Sequence, residues 1–234
     1  MIVHREYAQG DPEWIEAHCG IPTASEFKNL VTDKGEIRKW SSQMPNTYLH
    51  RKLAEKWGGP LPGFTAYATE QGHFLEEKAI PIYEYEHRVK IDRVAFCTTD
   101  DGRIGCSPDG LIEPDGGIEI KSLELPHHIE VLLDGVLPVD YWAQVHGCML
   151  VTGRPWWVFY AFRLNFPKLR VVVERDDAIQ ETLSDALGEF LQRFDAKWER
   201  LVAMHGRPPP RRQPMVFADD IAAGRAKEPD DLPH

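Results

Sequence analysis

The chain has 234 residues, 42% of them hydrophobic, enough for one sizeable core and short for two. No apolar run approaches the roughly 20 residues that span a bilayer, and the opening MIVHREYAQG lacks the apolar stretch of a secretory signal, so a soluble, cytoplasmic protein with no membrane contact is expected. A formal net charge of -10 argues against a surface that is basic all over, and the scattered cysteines Cys19, Cys97, Cys106 and Cys148, without a C-x-x-C pair, argue against zinc or iron-sulfur centres and read as buried free thiols.

Residues 11–18 read as helical, and after a short turn Thr23-Ala24-Ser25-Glu26 has the Thr-x-x-Glu spacing of a capping box at a second helix start. A third helix is expected over 46–57, closed by Gly58, Gly59 and Pro60. A fourth should cover about 65–80, where Phe74, Leu75 and Ala79 share a face and Pro81 kinks or ends it. From 89 to 123, short apolar alternations separated by Asp100-Asp101-Gly102 and Asp115-Gly116-Gly117 predict three antiparallel strands. A helix over about 139–151 ends at Gly153, residues 156–162 are apolar on both faces as in a central strand, and 169–174 makes a last strand. Ile179, Leu183, Leu187, Phe190, Phe194, Trp198 and Leu201 recur at helical spacing, which predicts one long amphipathic helix from 176 to about 205. Residues 207–234 are rich in proline and charge and are expected to form a mobile tail, leaving 1–206 as a single domain.

The stretch CSPDGLIEPDGGIEIKS, residues 106–122, carries the chemistry. Alternation along a strand puts Glu119 and Lys121 on one face and Ile118 and Ile120 on the other. Asp109 lies on the preceding strand, and the nine residues between it and Glu119 suffice for a hairpin that returns the chain beside itself. Two adjacent carboxylates repel unless a cation lies between them, and hard oxygen ligands without His or Cys suit magnesium or manganese rather than zinc. An adjacent lysine can position a water, which suits hydrolysis of a phosphodiester. A Pro-Asp-Gly turn or a Glu-x-Lys strand is common alone; their combination at this spacing is the signal. The acidic total counts against nucleic acid, but weakly, because segment 26–56 holds seven basic and four acidic residues and leaves room for a basic groove on an acidic exterior.

Pro108-Asp109 and Glu119-Ile120-Lys121 match the Pro-Asp...Glu-x-Lys signature of the restriction-endonuclease-like, PD-(D/E)XK, nuclease superfamily. More specifically, the chain resembles the lambda exonuclease and YqaJ-type viral recombinase family. The resemblance rests on Trp14, GIPTASEF (20–27), QGHFLEEKA (71–79), CSPDGL, GGIEIKS and DYWAQVHGCMLVTG (140–153), in order over roughly residues 10 to 175. It implies an α/β fold with a restriction-endonuclease-like core, a central mixed β-sheet flanked by helices. It also implies a 5' to 3' double-strand DNA exonuclease that leaves 3' single-stranded tails for recombination, using two Mg2+ (or Mn2+) ions. Asp109 would bridge the ions, Glu119 and the Ile120 carbonyl would complete one site, and Glu76 would serve the other. Lys121 would orient the nucleophilic water and Gln144 would support the site. A ring-shaped homotrimer around double-stranded DNA and a single-strand annealing recombinase as partner are implied too.

Read from the residues alone, Glu76 follows Gly72 by one turn and is otherwise a solvated glutamate, and Gln144 is an ordinary helix residue. Thr23 and Ser25 form a good cap whose amides and hydroxyls make a phosphate seat. Where the family has an arginine for the terminal 5'-phosphate this chain has His18, mostly neutral at pH 7 and without a bidentate fork. Two other readings stay open: a structure-specific or restriction-type endonuclease with the same metal chemistry, and a non-catalytic DNA-binding or assembly protein on the same fold.

Overall fold

The computed structural model describes residues 1–61 and 70–208, and within 70–76 it describes no side chain except that of Leu75. The expected tail beyond residue 208 and the expected helix start at 65 lie outside the described residues. In chain order the elements are β1 (Ile2–His4), α1 (Pro12–His18), a 3-10 helix (Ala24–Asn29), α2 (Gln43–Gly58), α3 (Glu70–His87), β2 (Ile91–Asp92), β3 (Phe96–Thr98), β4 (Gly105–Cys106), β5 (Gly110–Ile112), β6 (Gly116–Lys121), α4 (Leu125–Asp134), α5 (Val139–Thr152), β7 (Trp156–Ala161), β8 (Leu169–Glu174) and α6 (Asp177–His205).

Five strands form one mixed sheet in the order β2-β5-β6-β7-β8, in which β6 and β7 are parallel and the other neighbours antiparallel. The expected α/β class, a central mixed sheet flanked by helices, is the architecture found. Both faces of β6 and β7 are covered, which explains why residues 156–162 read as continuously apolar. On one face Ile118, Ile120, Val158 and Tyr160 pack with Ala79, Ile80 and Tyr83 of α3. On the other, Leu111 and Trp157 pack with Val145 and Met149 of α5 and with Leu183, Leu187 and Phe190 of α6. Among the described residues no helix is long and apolar enough to cross a membrane.

The region 89–123 holds five short strands rather than three, and they belong to two sheets. β3 and β4 turn away from the main sheet to pair with β1 in a small antiparallel sheet, β1-β3-β4. Alternation reports that a segment is extended but not which segment it pairs with, and β1, three residues long, is too short to show a period. α3 continues through Pro81 to His87 because Pro81 faces outward, where water can serve the carbonyl it leaves unpaired. α2 begins at Gln43, three residues early, since Pro45 is tolerated in a first turn. α4, not anticipated, starts on Leu125-Pro126 by the same preference and stops at Gly135 in a left-handed conformation.

The capping box at Thr23 is not formed. The segment is a 3-10 helix without a side-chain cap, and Glu26 points instead to Arg51 and Lys52 of α2. This short helix lies directly on α5, where Gly147 permits the contact: a Cβ there would sit 2.6 Å from Cδ2 of Phe27 and 3.0 Å from Cβ of Ala24. In an exposed helix Gly→Ala gains about 1 kcal/mol. Here the sign reverses, and Gly147→Ala is expected to destabilise the protein by roughly 1–3 kcal/mol through overpacking. Urea denaturation checks this; equal or greater stability in the variant would contradict the close approach.

Candidate active site

The β5–β6 hairpin positions the central residues. Gly110 pairs with Ile118, so the next position out sets Asp109, a bend residue just before β5 rather than on a strand, against Glu119. β5 has no residue left to accept the Ile120 amide, and Asp109 Oδ2 takes it instead at 2.5 Å. Glu119 is 1% exposed and points away from the Ile118 and Ile120 side chains, as alternation requires. Its Oε1 receives two donors, Lys121 Nζ at 2.5 Å and Gln144 Nε2 of α5 at 2.6 Å. Its Oε2 is buried with no hydrogen-bond partner.

Burial in a low dielectric pushes the Glu119 carboxyl up to about 7, and the Asp109 charge adds to that push while Lys121 and Gln144 oppose it. Lys121 itself lies over the Tyr141 ring at 5.6 Å. The structure thus brings Asp109, Glu119, Ile120, Lys121 and Gln144 together. Glu76 is carried by α3, whose later residues cover the opposite face of β6; its side chain lies outside the described residues. Among the described residues no group of three His, Cys, Asp or Glu is placed to hold a metal. A cation here would depend on the Asp109 and Glu119 pair, with backbone oxygen or a side chain beyond the described set.

A cavity of about 360 Å3 adjoins this pair and shares Gln144 with it. Trp14, His18, Thr23, Ser25, Glu26, Arg51 and Ser107 are among its walls. The small sheet brings these walls together: Gly105 bridges to Thr23, and its amide donates to the Pro22 carbonyl at 3.0 Å. A larger depression of about 680 Å3 opens over Trp156, Arg170, Val172 and Glu174. By strand parity it lies on the Ile118 face, away from Glu119, so its size does not make it the reactive site.

His18 is 4% exposed and lies between the rings of Trp14 and Phe96, each centroid 4.0 Å away. Burial lowers its pKa to about 4, so the ring is neutral. Its Nδ1–H donates to the Trp14 carbonyl at 2.7 Å, which leaves Nε2 to accept from the Ser107 hydroxyl at 2.9 Å. His18 therefore fixes Ser107. The phosphate seat expected at Thr23 also differs: the Thr23 amide donates to the Tyr48 hydroxyl at 3.3 Å, and what remains is the presence of Thr23 and the exposed Ser25 in the cavity wall. Sequence reading missed Ser107 and Arg51; the one visible signal was Ser107 standing two residues before Asp109 in the CSPDGL block.

Solved structures similar to this one include exonucleases. The alkaline exonuclease LHK-Exo from Laribacter hongkongensis superposes with a TM-score of 0.73 both alone, at 25% identity, and in complex with dAMP, at 26% identity; each comparison covers 83% of this chain and 97% of that one. A phage related exonuclease from Haemophilus somnus 129PT, at 13% identity, a TM-score of 0.56 and coverage of 77% of this chain and 96% of that one, shares the fold. No curated protein matches the chain. The model of the YqaJ-like viral recombinase domain matches residues 13–155, a span that holds the hairpin, Gln144 and the cavity walls, and the chain belongs to that family.

Proposed function

We propose that this chain is a metal-dependent DNA exonuclease that digests one strand of a duplex 5' to 3', releases mononucleotides and leaves a 3' single-stranded tail for recombination. The observation that carries the reading is half-buried Asp109 set against buried Glu119, with one Glu119 oxygen held by Lys121 and Gln144 and the other without a hydrogen-bond partner. Family membership and the likeness to LHK-Exo supply the substrate class, and dAMP in that protein's complex is the kind of product such a reaction releases.

An unpaired buried carboxylate oxygen beside a second carboxylate fits a hard divalent cation. Asp109, Glu119 and the Ile120 carbonyl would hold Mg2+ (or Mn2+), with Glu76 as the carboxylate for a second ion. Bound there, the ions would offset the repulsion of the pair and stabilise the charge on the phosphodiester oxygens. The chain's own residues do the rest. Gln144 fixes the rotation of the Glu119 carboxylate by holding Oε1. Lys121 places a cation beside Glu119 and orients the attacking water. Thr23, Ser25 and Ser107 line the space into which the strand end would fit. A homotrimeric ring around duplex DNA, working with a single-strand annealing recombinase, completes the proposal; it would let the locally basic segment 26–56 face the duplex while the exterior stays acidic.

An exonuclease must spare a molecule without ends. In magnesium the protein is expected to degrade linear duplex and leave covalently closed circles intact, on gels of end-labelled DNA; equal cutting of circles would favour an endonuclease instead. Asp109→Asn should lower the linear-duplex rate by roughly a hundredfold or more, with an unchanged melting temperature because the asparagine oxygen can still accept from the Ile120 amide. Undiminished magnesium-dependent activity would contradict the assignment.

The metal-free protein should also show the strain of the pair. The native Glu119 carboxyl titrates near 7, above the usual 4.5, so the native state holds its proton where the unfolded chain has lost it. This contribution is fully present below about 4.5 and is lost as pH rises through about 7, a change of about 3 kcal/mol at most. In EDTA, Glu119→Gln is therefore expected to gain stability over the parent at pH 8 and little at pH 5. Urea titrations at the two pH values give the answer, and parallel pH dependence in both proteins would refute the burial-raised pKa of Glu119.

A further inference from the structure

The chain crosses between its two sheets twice, and neither crossing belongs to a strand. Residues 93–95 lead from β2 of the main sheet to β3 of the small one, and residues 107–109 lead back from β4 to β5. The second crossing ends on Asp109. Pro108 has no backbone N–H to give to a ladder, so regular strand pairing stops short of the residue that faces Glu119.

Two side chains from the N-terminal segment bridge the crossings. Gln9, just ahead of α1, donates from Nε2 to the Val94 carbonyl at 3.3 Å and to the Pro108 carbonyl at 3.0 Å. Trp14 of α1 shares its Nε1–H between the Ala95 carbonyl at 3.0 Å and the Ser107 hydroxyl at 3.2 Å. The orientation of the Gln9 amide follows from chemistry. Both partners are carbonyl oxygens, which only accept, so the nitrogen must face them and its two hydrogens serve one each. Gln9 stands 85 and 99 positions away from these partners, and it is not among the cavity walls to which Trp14 and Ser107 belong.

We propose that Gln9 is a positioning residue for Asp109, acting through the Pro108 carbonyl. That oxygen belongs to the planar peptide that joins Pro108 to Asp109. Holding it fixes the rotation of the plane, and with it the direction in which the Asp109 side chain leaves the backbone. Pro108 is buried, so a carbonyl deprived of this donor has to turn to find another. The far end of the lever is the bond in which Asp109 Oδ2 accepts the Ile120 amide at 2.5 Å. A turn of the 108–109 peptide breaks that bond before it disturbs the ladder, in which Ile118 lies opposite Gly110. What Asp109 does for a cation rests on the exonuclease reading above; where its carboxylate stands does not.

Amide hydrogen exchange by NMR in EDTA reads the position of Asp109, and steady-state kinetics on linear duplex in magnesium read its consequence. Gln9→Met keeps the length and loses both donors, Gln9→Glu puts an acceptor against two carbonyls, and Gln9→Lys returns N–H donors. In Gln9→Met and Gln9→Glu the Ile120 amide is expected to exchange about tenfold faster with Ile118 unchanged, the worth of one hydrogen bond. In the same two variants kcat falls by a similar factor, KM for DNA holds, and the Mg2+ concentration at half-maximal rate rises. Gln9→Lys recovers part of each loss. The proposal is overturned if Ile120 exchanges as in the parent, or if Ile118 and Ile120 speed up by the same factor, which marks a hairpin loosened as a whole. It is overturned too if an active parent loses neither kcat nor magnesium affinity in the two variants. A parent inactive on every linear duplex, with the Ile120 amide still freed in Gln9→Met, would sink the exonuclease reading and leave the positioning in place.

Discussion

The register of one short hairpin governs this site. Gly110 opposite Ile118 is what makes Asp109 face Glu119, and a slip of one residue would send Glu119 into the apolar layer under α3 and an isoleucine into the site. The register is held from outside the hairpin as well. β7 runs parallel to β6 over all six of its residues, and both faces of the pair are covered, so the apolar pattern of Ile118 and Ile120 has only one buried solution. The electrostatic cost of two neighbouring carboxylates is therefore imposed by apolar packing, and the sheet has no cheap way to relax it.

That constraint separates what was legible in the sequence from what was not. Period-two alternation named the face of Glu119 and Lys121, and the spacing from Asp109 named the hairpin, because both depend on neighbours within a dozen residues. The long helix α6 was legible for the same reason. The small sheet was not: β3 and β4 pair with Ile2–His4 at the other end of the chain, and nothing in the local pattern of 96–106 distinguishes that partner from the main sheet. The Thr-x-x-Glu block was legible as a motif and misleading as a structure. A capping box needs Glu26 to turn back on its own helix, and two cations on α2 offered it a stronger partner.

Arg51 and Lys52 show the same limit in charge. In the sequence they look like part of a solvated basic stretch, yet Lys52 is as buried as Glu119. Their partner Glu26 is 25 or 26 positions away, so only the fold reveals that these two cations are paired internally while Lys28, Lys34 and Lys39 of the same segment stay exposed. A net charge of -10 then says little about any one surface, since the fold gathers charges from distant positions: two carboxylates beside Lys121 at Glu119, a net-neutral network at Arg51.

These two clusters are not independent. Gln144 donates to Glu119 and also lines the cavity that Arg51 borders, so one side chain on α5 touches both. The 3-10 helix that bears Ser25 and Glu26 is pressed against the same α5 at Gly147, less than one turn further along. A change in how the 3-10 helix sits must therefore move against the helix that orients Glu119. The carboxylates stand on the β5–β6 hairpin and Arg51 on α2, so α5 carries neither cluster; it couples them, through Gln144 toward Glu119 and through its packing against the 3-10 helix toward Glu26 and Arg51.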